Sequence, residues 1–168
     1  RWDGLAARKS RIEGADTGLF ATAPLPARSR IDYYGVRLTR ADYEQRDDQQ
    51  YCVAIHGKPP YEIIDANPRW YDEWTPACAI QPKVPMLASC SRLPTNLLIG
   101  GMVNEPAPGS TPNVKLVGTH RGAYFMTTRP IEAGEELLTL YGEEYEREYP
   151  SPFGWMEGEA VARFREFW

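Results

Sequence analysis

Histidine and cysteine are scarce in this 168-residue chain, with two of the first and three of the second. None of Cys52, Cys78 and Cys90 lies in a C-x-x-C, and three cysteines cannot all pair. An oxidised secreted framework is therefore not expected. A reducing, intracellular location, nuclear or cytoplasmic, is. Cys52, His56, Cys78 and Cys90 could in principle supply four zinc ligands, but their spacing matches no familiar finger, so no metal site is expected. Long apolar runs are also missing. The longest, 97–103, carries two glycines and is far too short to cross a bilayer, so no membrane partner is expected. No basic start leads into an apolar signal segment. Nor is there an excess of positive charge. The 19 basic and 23 acidic residues leave a net charge of −4. That balance argues against direct nucleic-acid binding and suits a basic peptide partner without demanding one. The chain opens on Arg1 rather than Met and reads as a piece cut from a longer protein.

What is present is ordinary globular composition, 42% hydrophobic and 25% charged. The length suits one domain and could just hold two small ones. Fourteen glycines and 15 prolines promise many turns and few long helices. A glycine-bracketed turn at 14–18 leads into an apolar strand over 18–22. A second strand, 30–34, stops at Gly35, and 36–38 continues extended. Thr39 then caps a helix, with Asp42 three residues on at capping-box spacing. Residues 51–55 and 61–65 read as a hairpin across 56–60. From 67 to 96 the periodicity fades and prolines recur, which predicts a long irregular insertion. Two strands follow, 113–117 and 123–127, then a short leucine-rich strand at 136–140 broken by Gly142. The last stretch, 156–168, predicts a helix with Val161, Phe164 and Trp168 on one face. The overall expectation is a mainly β fold of short strands.

Each candidate motif is weak alone, because glycine turns, Tyr-Gly pairs and Asn-Glu-Pro runs usually only shape loops. Their order carries more. Residues 10–21 (a glycine turn into Leu-Phe-Ala) are followed by Tyr33-Tyr-Gly, then Val103-Asn-Glu-Pro with Pro112-Asn113. The series closes at 131–142, with Gly-Glu-Glu-Leu running into Tyr141. This series resembles the SET-domain protein lysine methyltransferases. The resemblance implies a SET fold of short curved β-sheets with a pseudoknot, few helices and a C-terminal helix. It places a SET domain over 1–146, with a variable insertion at about 41–100, and a C-terminal helical segment over 147–168 that closes the site.

The resemblance also implies roles. S-adenosylmethionine would lie against Asp16, Thr17, Gly18 and Leu19 of the glycine turn and against Met102, Val103, Asn104 and Glu105. Phe153 and Trp155 are the aromatic candidates to cover its adenine. Tyr33 would stand between cofactor and target lysine, Leu116 would line the lysine channel, and Tyr141 would be the catalytic tyrosine. Pro112-Asn113 would anchor the strand through which the chain end is threaded. The implied reaction is lysine N-methylation on a histone tail or another basic peptide. The sequence departs from the family at Glu105, where a histidine is usual, and at 107–110, which stretch the motif. A carboxylate beside the cofactor motivates an alternative, a catalytically inactive SET-like module that binds a peptide or partner protein.

The implied chemistry explains the shortage of histidines. A lysine amine with pKa near 10.4 loses its proton at pH 7.4 at a cost of about 4 kcal/mol. A sulfonium about 5 Å away supplies roughly 3 kcal/mol of repulsion at an effective dielectric near 20. An apolar aromatic channel acts in the same direction. No strong general base is needed, and Glu135 and Glu136 read as turn and strand residues. Leu116 bears no hydroxyl, which leaves room for more than one methyl.

Overall fold

The computed structural model describes residues 4–55, 61–67, 100–119, 122–142, 145–156 and 158. Eight short strands carry the fold, in three antiparallel sheets. β1 (Leu5–Lys9) pairs with β2 (Thr17–Ala21). β3 (Arg30–Tyr33) and β7 (Val114–Thr119) flank β8 (Gly122–Thr127), while β4 (Val36–Thr39) and β5 (Cys52–Ala54) flank β6 (Tyr61–Asp65). The one short helix among the described strands, α1 (Arg40–Glu44), starts at Thr39. Thr39 and Asp42 form the reciprocal capping box that their spacing predicts. The mainly β fold, with very few helices, is as expected.

Pattern and packing agree where strands alternate. On β8, Ala123, Phe125 and Thr127 point inward while Tyr124 and Met126 are half-buried, the period of two of a sheet with one core face. β3 answers with Ile31 and Tyr33, in register with Phe125 and Ala123. β2 is different, being buried from Gly18 onward on both faces. Its Leu19 and Ala21 join Ile31, Val103, Ile131 and Leu137 in one core cluster. Gly35 lies where β3 gives way to β4, and a Cβ there would strike the Asp65 backbone carbonyl, so the close approach of β6 requires glycine.

Two features differ from the sequence expectations. β1 carries no strand pattern, and pairing with β2 is what makes it a strand. The predicted strand at 136–140 is not a ladder. Glu136 bridges Phe20 antiparallel, and Leu138 bridges Asn104 in parallel. Two different neighbours each take one residue, so no continuous pairing develops. Asn113 fills the gap, because its side chain does what a neighbouring strand would do. Its Oδ1 accepts from the Leu138 N–H at 2.8 Å and its Nδ2 donates to the Glu136 carbonyl at 2.8 Å. On the other side, the Leu137 N–H donates to the Leu19 carbonyl at 2.7 Å. The stretch is thereby held between β2 and Asn113, the anchor expected of Pro112-Asn113.

The predicted irregular insertion falls on residues outside the described ones apart from Asn67. The C-terminal helix does so apart from its first residue Met156 and Gly158. His56, Cys78 and Cys90 are also outside them. Among the described residues, no cluster of His, Cys, Asp or Glu is placed to hold a metal ion, and no helix is long and apolar enough to cross a membrane.

Candidate active site

Stretches distant in sequence meet around Asn104. Its side-chain amide donates to the Thr17 carbonyl at 2.9 Å and lies 3.2 Å from both Ser10 Oγ and Glu136 Oε1. Glu136, only 6% exposed, completes the junction. Its Oε1 accepts from the Ser10 hydroxyl at 2.7 Å and its Oε2 from the Arg11 N–H at 2.8 Å. One buried carboxylate thus ties the start of the glycine turn to the 104 motif and to the threaded stretch.

That carboxylate crosses directly over Gly18. A Cβ at 18 would overlap Glu136 Oε1, and Asn104 Nδ2 stands 3.3 Å off. The glutamate tip is flexible in principle, but three hydrogen bonds fix it. Gly18→Ala is expected to lower stability by about 2 kcal/mol, since overpacking of this kind costs 1–3. It should also weaken binding of any ligand held by the turn. Chemical denaturation of the variant checks the first effect.

Tyr141 is gripped at both ends by 103–105. Its phenol donates to the Val103 carbonyl at 2.8 Å, and its backbone N–H donates to Glu105 Oε1 at 2.7 Å. Its ring meets that of Tyr145, with centroids 4.8 Å apart. Burial, then the neighbouring Tyr149, Tyr145 and Glu105, pushes the phenol well above the ordinary tyrosine value. The group is therefore a neutral hydroxyl at physiological pH and not a base.

Glu105 is buried yet balanced. Arg147 Nε donates to its Oε2 at 2.7 Å and Arg147 Nη2 to its Oε1 at 2.8 Å, a two-pronged fork. The Tyr149 hydroxyl adds a bond to Oε2 at 2.9 Å. Arg147 also lies 5.9 Å from the Phe153 ring, which brings the chain beyond Tyr141 back against the motif.

A model of the SET-domain family matches residues 16–142. The chain belongs to the SET-domain family. Among solved structures it is similar to the methyltransferase domain of human PR domain-containing protein 2, with a TM-score of 0.54. The two are 20% identical, and the match covers 88% of this chain and 82% of that one, a likeness that carries the fold. No curated protein matches.

Within this SET domain the expected residues fall as follows. Asp16 and Thr17 are exposed at the rim, with Gly18 and Leu19 buried behind them. Asn104 touches the turn, Val103 touches the Tyr141 hydroxyl, and Met102 packs against the core. The Glu105 side chain is engaged by Arg147. Tyr33 is deeply buried. Its hydroxyl donates to the Tyr51 carbonyl at 2.7 Å, and its ring meets Phe125 edge-on at 5.7 Å. Burial raises the Tyr33 phenol too, and Tyr33 in turn contributes to the rise at Tyr141. Leu116 is half-buried on β7, paired in register with Phe125, and packs against the core. No contact joins Leu116 directly to Tyr141 among the described hydrogen bonds and ring pairs. Trp155 is half-buried, and its indole Nε1 is buried with no hydrogen-bond partner among the described residues.

Sequence reasoning missed the roles of Glu136, Arg147 and Tyr149. One signal existed for Arg147, the only basic residue among seven glutamates between 132 and 148. A buried carboxylate at 105 needed a cation, and this was the nearest one along the closing segment.

Proposed function

We propose that the chain is an S-adenosylmethionine-dependent protein lysine N-methyltransferase acting on a histone tail or another basic peptide. SET-domain proteins are generally protein lysine methyltransferases. The observation that carries the reading for this chain is the junction of Thr17, Asn104 and Tyr141. The amide of Asn104 reaches the glycine turn, and the phenol of Tyr141 hydrogen-bonds the residue just before Asn104.

The residues present fit the cofactor. Glycine at 18 lets the Glu136 carboxylate and Asn104 close behind the turn, whose residues Asp16 and Thr17 stay exposed. Arg147 neutralises the carboxylate at 105. The indole N–H of Trp155 is a buried donor with no partner among the described residues, which a purine ring edge could satisfy. When bound, S-adenosylmethionine supplies a methyl group activated by positively charged sulfur. Asp16, Thr17, Gly18, Leu19 and residues 102–105 would hold it, with Trp155 and Phe153 on the adenine side.

The chain's own residues then handle the lysine. Tyr141 donates its proton to the Val103 carbonyl, so its oxygen lone pairs are free to accept an amine N–H. Because burial keeps the phenol protonated, its contribution is alignment and not proton removal. Tyr33 and Leu116 would bound the aliphatic part of the lysine. The module reading draws on Glu105 and on the stretched motif at 107–110; the Arg147 fork balances the first, and the assay below separates the two readings.

Calorimetry with S-adenosylmethionine, followed by methyl transfer to histones and cell extract, tests the proposal. Binding with lysine-specific transfer is expected. Binding without transfer to any protein would favour the module instead. Mass spectrometry of the product is expected to show more than one methyl per lysine, since Leu116 offers no hydroxyl to the amine. A single methyl at saturation would contradict that assignment of Leu116.

A further inference from the structure

We propose that Glu105 and Arg147 act as a positioning pair that sets where the Tyr141 phenol stands and fixes the returning chain at 145–149 against the 103–105 motif. Only the turnover arm of the test below rests on the methyltransferase reading.

The argument starts from the two-ended grip on Tyr141. Glu105 Oε1 holds its N–H and the Val103 carbonyl holds its hydroxyl, both from one three-residue stretch. If the Glu105 carboxylate shifts, the Tyr141 backbone shifts against the carbonyl that its own phenol must reach. The two anchors together define the ring's position.

The anchor lies out of water, together with its partner. The Glu105 and Arg147 side chains are 2% and 5% exposed. An ionised carboxylate this deep requires a partner cation. Arg147 supplies one with a planar fork that a lysine's point charge cannot reproduce. Its remaining donors reach back along the chain. Nη1 bonds the Tyr145 carbonyl at 2.7 Å and Nη2 the Gly142 carbonyl at 2.5 Å, and the guanidinium lies 5.2 Å from the Tyr145 ring centroid. With the Tyr149 hydroxyl, four donors converge on the two Glu105 oxygens. Both oxygens are then filled. Glutamine at 105 removes the charge and presents N–H to a fork that is itself all donors, so the pair opens.

The test uses the protein with ring-labelled tyrosine, in which Tyr141→Phe assigns the Tyr141 ring-carbon resonance. Glu105→Gln and Arg147→Lys are compared with Arg30→Met, which removes an exposed pair with Asp32 and a contact over the Tyr124 ring, both remote from Glu105 in the hydrogen bonds described. The Tyr141 resonance is expected to move in the first two variants and to hold in the third. With S-adenosylmethionine and a lysine peptide array, kcat should fall by at least about tenfold, because a small misplacement remote from the reacting atoms is enough for this. Cofactor Kd should change less than kcat does. A merely structural role would instead scale activity with the folded fraction and leave the resonance of folded protein unchanged. An unmoved Tyr141 resonance in folded Glu105→Gln or folded Arg147→Lys overturns the proposal, as does wild-type kcat in either. Absence of transfer by the wild type would overturn the methyltransferase reading, and the resonance would then decide the pair by itself.

Discussion

Tyr141→Phe is expected to lower methyl transfer by about a hundredfold, the scale on which one oriented hydroxyl in a water-poor site acts. S-adenosylmethionine affinity should change little, because no part of the turn at 16–19 contacts the lost oxygen in the hydrogen bonds described. The ring keeps its place against Tyr145, and the backbone grip from Glu105 is untouched. Only the bond to Val103 is lost, together with the acceptor offered to the amine. The pH profile separates this role from base catalysis. Burial holds the phenol protonated past the ordinary tyrosine value near 10, so no activity should appear as pH approaches that value on account of Tyr141. The same burial makes stability sensitive at high pH. Below pH 10 the folded and unfolded chains both carry the proton and nothing is lost. Above it the unfolded chain ionises while the folded one resists, so stability falls. Parallel kcat and calorimetric measurements on wild type and Tyr141→Phe check both parts, and unaltered kcat would remove the assigned role.

Asn113→Ala is expected to unfold the protein more readily than any exposed substitution. Asn113 is 2% exposed, and both ends of its amide serve the threaded stretch. Alanine strands the Leu138 N–H and the Glu136 carbonyl in the interior. Each unsatisfied buried group costs about 1–3 kcal/mol, so a loss of about 3 kcal/mol is a conservative expectation. That is a large fraction of a typical domain's whole stability. Asn113→Asp keeps the acceptor for Leu138 but turns a second oxygen toward the Glu136 carbonyl and buries an unpaired carboxylate. Urea unfolding should rank wild type above both variants. Equal midpoints for Ala and wild type would show that the stretch is held by other contacts.

Much of this was readable in the sequence where the interactions are local. Thr39 and Asp42 lie three apart and find each other through the backbone between them, so the cap was legible. The alternation of β8 and the burial-prone run of β2 were legible for the same reason. β1 was not, because Leu5–Lys9 has no pattern and becomes a strand only through β2. The stretch 136–140 looked like a strand because it is rich in leucine and ends at Gly142, yet its partners come singly from Phe20, Asn104 and the side chain of Asn113. Motif order picked out Thr17, Val103, Asn104 and Tyr141, which hydrogen bonds join in pairs. The structure adds why they meet, with Glu136 fastening Ser10, Arg11 and Asn104, and Arg147 balancing Glu105. Both are contacts across more than thirty residues, and no local window reveals them.

The most direct measurement is radiolabelled methyl transfer from S-adenosylmethionine across an array of lysine peptides and their arginine-substituted counterparts. Label that appears on lysine peptides and vanishes from their arginine versions is the predicted result. No label on any peptide, together with no heat of cofactor binding, would contradict the account.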